Sequence, residues 1–131
     1  MEETLFRTRA EAANGFHVLH NNFRDAILGS VKAGPRNEVT LLVAPIKWEG
    51  NQGTHTAELE VRFGGLEDFT SISKVLRDLS DTNFEIGYLG LKDAQGTKDA
   101  GKLTFRLLGE RSSTDIDFSC SSASIRSLER D

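Results

Sequence analysis

Gly64-Gly65-Leu66-Glu67-Asp68-Phe69-Thr70-Ser71-Ile72-Ser73-Lys74-Val75-Leu76-Arg77-Asp78-Leu79 is the stretch whose reading decides the fold. Leu66, Phe69, Ile72, Val75, Leu76 and Leu79 recur at helical spacing and form one apolar stripe on a polar segment. Glu67 and Asp68 stand at the electropositive start of this helix, where negative charge is favoured. The glycine pair permits a sharp strand-to-helix turn. A helix of this kind must bury its stripe, and the segments on either side supply the surface.

Those segments read as strands. Thr54 to Phe63 alternates strictly, with Ala57, Leu59, Val61 and Phe63 on one face and Thr56, Glu58, Glu60 and Arg62 on the other. That period of two marks an antiparallel sheet with one wet face. Upstream, Glu38 to Trp48 is a strand that Pro45 makes an edge or a bulge. Downstream, Phe84 to Leu91 and Lys102 to Leu108 flank a polar hairpin loop at Lys92 to Gly101, and Ser112 to Ser121 adds a fifth strand through Ile116, Phe118 and Cys120. Ser122 to Asp131 reads as a short helix carrying Ile125 and Leu128, or as a frayed tail. The first segment, Glu2 to Lys32, fits a helical stripe through Leu5, Ala12, Phe16, Leu19, Phe23, Ala26, Ile27 and Val31. Gly15 weakens its middle by about 1 kcal/mol relative to alanine, so residues 16–32 are the firmer part. The order Gly34-Pro35 then stops the helix.

Helix-strand-strand thus occurs twice. Each first strand ends on a lysine (Lys47, Lys92), each loop holds Gln-Gly-Thr (Gln52 to Thr54, Gln95 to Thr97), and each second strand reads Leu-x-apolar-Arg-apolar (Leu59 to Phe63, Leu103 to Leu107). Two such units predict a single α+β domain over residues 1–131. It is a two-layer sandwich, ferredoxin-like in permuted order (αββαββ), with an antiparallel sheet and both helices on one face. Its parts are an N-terminal helix over 2–32, the sheet and central helix over 38–109, and an extra strand or tail over 112–131.

The 131 residues are 37% hydrophobic and 27% charged, enough for one domain with a core. The net charge of -4 and pI near 5.4 argue against nucleic acid as a partner, since phosphate binding needs a clustered basic surface. The single cysteine, Cys120, excludes an internal disulfide and reads as a small, partly buried thiol. No apolar run reaches the length of a membrane span, and the start is not basic-then-apolar, so neither an anchor nor a signal peptide is expected here.

Candidate chemistry is sparse. His17 and His20 lie three apart on the expected helix, a metal-compatible spacing, but they need further ligands that Cys120 and His55 do not obviously supply. Glu58 with Glu60, and Asp115 with Asp117, alternate on wet strand faces and read as solubilising rather than as acid/base pairs. Gly64-Gly65 precedes a helix start, yet Glu67 and Asp68 would repel a phosphate there. No G-x-S-x-G, H-E-x-x-H or C-x-x-C occurs. No catalytic, cofactor-binding or metal-ligating residue is therefore assigned, and no cofactor is expected.

From His55 to Leu108 the order of elements resembles the periplasmic domains of the PilO/GspM group, the assembly-platform proteins of type IV pili and type II secretion. An alternating strand closes on glycine (Leu59 to Gly64). An amphipathic helix with an early aromatic follows (Leu66 to Leu79). Then come a strand (Phe84 to Leu91), a polar hairpin, and a strand opening Gly101-Lys102-Leu103-Thr104-Phe105. The resemblance implies a non-enzymatic scaffold that forms a homodimer, or a heterodimer with a related domain, through a helix or a sheet edge. Partner-contact candidates are Phe16, Leu19, Phe23, Ile27 and Trp48. Such a domain would be periplasmic if excised from an anchored protein and cytoplasmic if Met1 is native, without direct membrane contact by this chain. Two other readings stand beside it: a soluble cytoplasmic secretion-chaperone-like dimer, and a small-molecule-binding ferredoxin-like domain using His17, His55 and the carboxylates.

Overall fold

Period-two alternation governs most of the chain from Ile27 onward, and antiparallel sheet is what that alternation builds. The computed structural model describes residues 3–6, 8–18, 20–55, 58–92 and 102–127. In chain order the elements are β1 (Glu3–Phe6), α1 (Arg9–Ala13), β2 (Ile27–Gly34), β3 (Glu38–Ala44), β4 (Ile46–Glu49), β5 (Gln52–His55), β6 (Leu59–Gly64), α2 (Phe69–Ser80), β7 (Ile86–Leu91), β8 (Leu103–Gly109), β9 (Asp115–Cys120) and β10 (Ser122–Ser127). One sheet runs β1-β10-β6-β3-β2, a second runs β7-β8-β9, and β4-β5 is a separate hairpin. Every pairing is antiparallel.

The two larger sheets are joined at two places. On one side β9 and β10 are a single run of chain bent at Ser121, whose N–H donates to the Gly64 carbonyl at 2.9 Å. On the other, the start of β2 pairs with the start of β7. There Asp25 N–H donates to Ile86 O, Ile86 N–H to Ala26 O and Leu28 N–H to Phe84 O, at 2.8, 2.8 and 2.9 Å. The sheets consequently wrap one core. Val39, Leu41, Val43, Val61, Phe63, Ala123 and Ile125 face it from the first sheet, and Leu103, Phe105, Leu107, Phe118 and Cys120 from the second.

Phe63 of the first sheet meets Phe105 and Phe118 of the second at 5.0 and 4.9 Å, and Phe16 packs onto this cluster. Its ring lies 4.9 Å from Phe105, 6.1 Å from Phe63, 5.8 Å from Phe6 and 5.7 Å from Phe23, centroid to centroid. Each such pair contributes about 0.5–1.5 kcal/mol beyond the area it buries. Gly15 makes the approach feasible, because a Cβ there would overlap the Phe6 ring.

The α+β character and the antiparallel pairing agree with the sequence reading, and α2 follows its apolar stripe. Ser73 and Leu76 are buried, while Phe69, Ile72 and Leu79 pack partly against the core. Val75 is a correction: it is 39% exposed and lies off the buried face.

The permuted ferredoxin-like order does not describe these residues, since the strands form two joined sheets rather than one four-stranded sheet. The expected helix over 2–32 is the main departure. Only Arg9–Ala13 is α-helical; Asn14–Val18 is a π-helical turn, and Glu3–Phe6 and Ile27–Gly34 are strands. Ile27, Val31, Gly29 and Gly34 all disfavour helix, and Gly34-Pro35-Arg36-Asn37 is a hairpin turn rather than a helix stop. Arg36 and Asn37 take positive φ (59° and 57°) and return the chain into β3. Phe16 and Phe23, expected at a partner surface, are 0% and 2% exposed and belong to the core. Ser122–Ser127 is neither helix nor tail: Ala123 and Ile125 point inward, and the strand pairs with β1 and β6 on its two sides. Pro45 separates β3 from β4, dividing the expected Glu38 to Trp48 strand. Most of the expected Lys92 to Gly101 loop, residues 93–101, lies outside the described residues.

Replacing the Phe16 ring should cost far more than trimming an exposed stripe residue. In urea denaturation, Phe16→Ala is expected to lose about 3–5 kcal/mol, and Val75→Ala to stay within about 0.5 kcal/mol. Equal losses would contradict the central position given to Phe16.

Candidate functional site

The densest local strain in the chain lies between α1 and β2. Thr8 caps α1 through a reciprocal capping box, its Oγ1 accepting from Glu11 N–H at 3.2 Å while Glu11 Oε1 accepts from Thr8 N–H at 3.1 Å. The helix then widens into the π-helical turn Asn14–Val18, a form that recurs at functional sites. Next, Asn21, Asn22 and Phe23 take left-handed φ of 50°, 52° and 54°, and Asp25 follows at 67°. Asparagine tolerates this region, but phenylalanine does not, and each such residue costs on the order of 1–3 kcal/mol. Burial of Phe23 against Phe16 holds the turn, as do hydrogen bonds from Phe23 N–H to His20 O (2.9 Å) and Ala26 N–H to Phe23 O (3.0 Å).

The strained turn carries Asn22 inward, where only 8% of it remains exposed. Its Nδ2 donates to His17 Nδ1 at 2.9 Å, the only hydrogen bond of that side chain among the described residues. Its Oδ1 lies over Gly90 of β7, close enough that a Cβ there would overlap it. Gly90 is thus the position that lets the amide reach β7. Tyr88, two residues before Gly90, donates its hydroxyl proton to the Leu91 carbonyl. Burial raises the Tyr88 hydroxyl above its usual pKa, with Arg106 opposing more weakly. These groups border a half-enclosed cavity of about 230 Å³ lined by Ala13, His17, Asn22, Tyr88 and Leu91.

The sequence-derived candidates distribute differently. His17 reaches this cavity. His20 instead stacks on Phe23 at 5.1 Å, and burial lowers its pKa. The two histidines do not share a helical face, because the π-helical turn ends between them. His55 Nε2 lies 3.4 Å from the Asp25 carbonyl, far along the chain from either. Among the described residues no three His, Cys, Asp or Glu side chains gather to hold a metal.

Of the candidate carboxylates, Glu60, Asp115 and Asp117 are engaged with cations. Glu60 Oε1 accepts from Arg62 Nη2 (3.0 Å) and Arg126 Nη2 (2.8 Å). Asp117 meets Lys92 at 2.7 Å and Arg106 at 3.2 Å, and the Lys92 hydrogen bond foremost holds it below the usual carboxylate range. Around Gly64-Gly65 the N–H groups of Leu66 and Glu67 donate to Asn37 O and Ser119 O, both at 2.9 Å, so they are already used. Gly65 at φ 64° makes the turn, and Glu67 pairs with Lys102 at 2.8 Å.

Of the expected partner-contact residues, Leu19 lies outside the described residues, as does the side chain of Trp48, whose backbone is in β4. Ile27 is half-buried and lines a shallow cavity of about 330 Å³ with Phe84, Glu85 and Arg111. Sequence reasoning missed Asn22, Tyr88 and Gly90. The Asn21-Asn22 doublet was the available signal, since asparagine is the commonest residue other than glycine in left-handed turns.

Cys120 is buried, and burial pushes its thiol up to about 12. A pKa raised in the fold stabilises the native state below the ordinary thiol pKa of 9.0, and that contribution is lost as pH climbs from there through about 12. Native protein at pH 8 is therefore expected to leave a thiol-reactive dye uncoloured until denaturant is added. Rapid labelling of the native chain would contradict the burial of this side chain. Among the described residues no helix is long and apolar enough to cross a membrane. Comparison of the chain with protein-family models, with curated proteins and with solved structures finds no match in any of the three.

Proposed function

We propose that this chain is a non-enzymatic binding domain whose recognition element is the cavity at His17, Asn22 and Tyr88. One observation carries the reading: the Asn22 side chain, only 8% exposed, is held on left-handed backbone beside the cavity with its Nδ2 on His17 Nδ1, next to Phe23 in the same strained turn. Strain of this kind persists where it positions a group for use. The lining joins apolar walls, Ala13 and Leu91, to convergent polar groups, the usual composition of a ligand site. Tyr88, kept neutral by burial and bonded to Leu91, serves as a hydrogen-bonding wall rather than a proton donor.

Amide resonances of the labelled protein should report this directly. Neutral single-ring and fused-ring compounds are expected to shift Ala13, Gly90 and Leu91 saturably, and Ala13→Leu, which fills the cavity from a helical position, should remove the response. A set of such compounds that leaves these signals still would end this reading.

A second reading keeps the scaffold expected from the order of elements, as a domain of a pilus or secretion assembly platform or as a secretion-chaperone-like dimer. What supports it is β1, a terminal strand of its sheet that carries Leu5 with 45% exposure. Edge strands recruit partners by extending the ladder. Light scattering across a wide concentration range should then show self-association that Leu5→Lys weakens; a monomer throughout that also ignores platform proteins rules the scaffold out.

A further inference from the structure

β2 ends its sheet, and most of its outer side is open. β3 pairs with one side of it. On the other, backbone bonds to Phe84 and Ile86 reach only Asp25, Ala26 and Leu28, and among the described residues none reaches residues 29–34. α2 packs beside this open stretch. Between them lies a groove of about 450 Å³, with Gly29 and Ser30 of β2 on one wall and Lys74, Arg77, Asp78 and Asp81 of α2 on the other.

Helix stability does not account for the charge order on that wall. Asp78 lies in the last turn of α2 and Asp81 is its C-cap, at the end of a helix where negative charge is disfavoured. Lys74 pairs with Asp78 at 3.1 Å in the less favourable of the two orders four residues apart, and their side chains stay 71% and 65% exposed. What the order does provide is a match to itself. Two cations followed by two acids, spaced three, one and three residues apart, meet the opposite sign at every position when the helix is turned end for end.

We infer that the groove between α2 and β2 binds a second copy of this chain, across a two-fold axis that sets the two α2 helices antiparallel, each lying over the other copy's groove. Lys74 then faces Asp81 of the second copy and Arg77 faces its Asp78, and symmetry repeats both pairs. The small residues Gly29 and Ser30 leave room for the incoming side chains. A partner of a single charge sign would meet like charge along half of the wall. The contact is polar and its charges are exposed, so the association is of the weak, salt-screened kind. It uses neither the cavity at His17 nor β1, and it is independent of both readings above.

Sedimentation equilibrium of the full chain and of two charge-reversed variants tests this surface. Lys74→Glu with Arg77→Glu makes the wall acidic throughout, and Asp78→Lys with Asp81→Lys makes it basic throughout. All four positions are exposed, and circular dichroism checks that each variant stays folded. The unaltered chain is expected to dimerise at low salt and to dissociate as salt is raised. Either variant alone should bind itself at least about tenfold more weakly, the factor that about 1.4 kcal/mol supplies, while an equimolar mixture of the two should dimerise again. Leu5→Lys should leave this dimer intact. A chain that stays monomeric at low salt, reversed variants that dimerise as the unaltered chain does, or a mixture that stays monomeric would each overturn the assignment. Self-association lost in Leu5→Lys and kept in the reversed variants would overturn it in favour of β1.

Discussion

The two sheets meet in one aromatic cluster, where Phe63 of the first packs on Phe105 and Phe118 of the second at 5.0 and 4.9 Å and Phe16 closes one side. Phe16 touches Phe63 on β6 and Phe105 on β8, and through Phe6 and Phe23 it also fixes β1 and the strained turn before β2. Packing at interior density tolerates no substitute smaller than this ring without a cavity. The demand reaches back along the chain. Gly15 must lack a side chain so that Phe6 can approach, and the helix must widen over Asn14–Val18 to turn Phe16 inward. The candidate binding site follows from the same requirement, because the segment that delivers Phe16 and Phe23 to the core also delivers His17 and Asn22 to β7.

Sheet residues were legible because alternation leaves a direct trace. Val61 and Phe63 face inward while Glu60 and Arg62 face outward, as a period of two requires. The α2 stripe was legible for the corresponding helical reason, apart from Val75. Residues 2–32 were not, since apolar residues spaced three and four apart also arise when a short helix, a turn and a strand each contribute a few. Phe16, Phe23 and Val31 satisfy a helical wheel and yet belong to three different elements. Gly34-Pro35 reads equally as a helix stop and as a hairpin turn, and only the β2–β3 register decides between them.

The candidate site was the least legible part. His17 was visible as a residue type, but its partner Asn22 was hidden within an apparent helix, and Gly90 and Tyr88 lay in a strand read for its apolar content. What joins them is a long-range approach that no local pattern encodes: Asn22 and Gly90 are distant in sequence and meet only because the start of β2 pairs with the start of β7. The outward carboxylates show the converse. Their alternation was plain, but the sequence did not show that Glu60 keeps only 14% of its side chain exposed between Arg62 and Arg126, or that Asp117 pairs with Arg106.

The bent run of β9 and β10 bears on how the chain is made. Synthesis delivers β1 first, but its described ladder partner is β10, among the last of the described elements to appear. β6 and β3 can pair early, yet β6 also waits for β10 to complete its second edge. Pairings this distant in sequence repay their loop-closure entropy late and fold slowly. Until β10 has emerged, the edges of β1 and β6 that it covers stay open, and the nascent chain is vulnerable to misassociation through them.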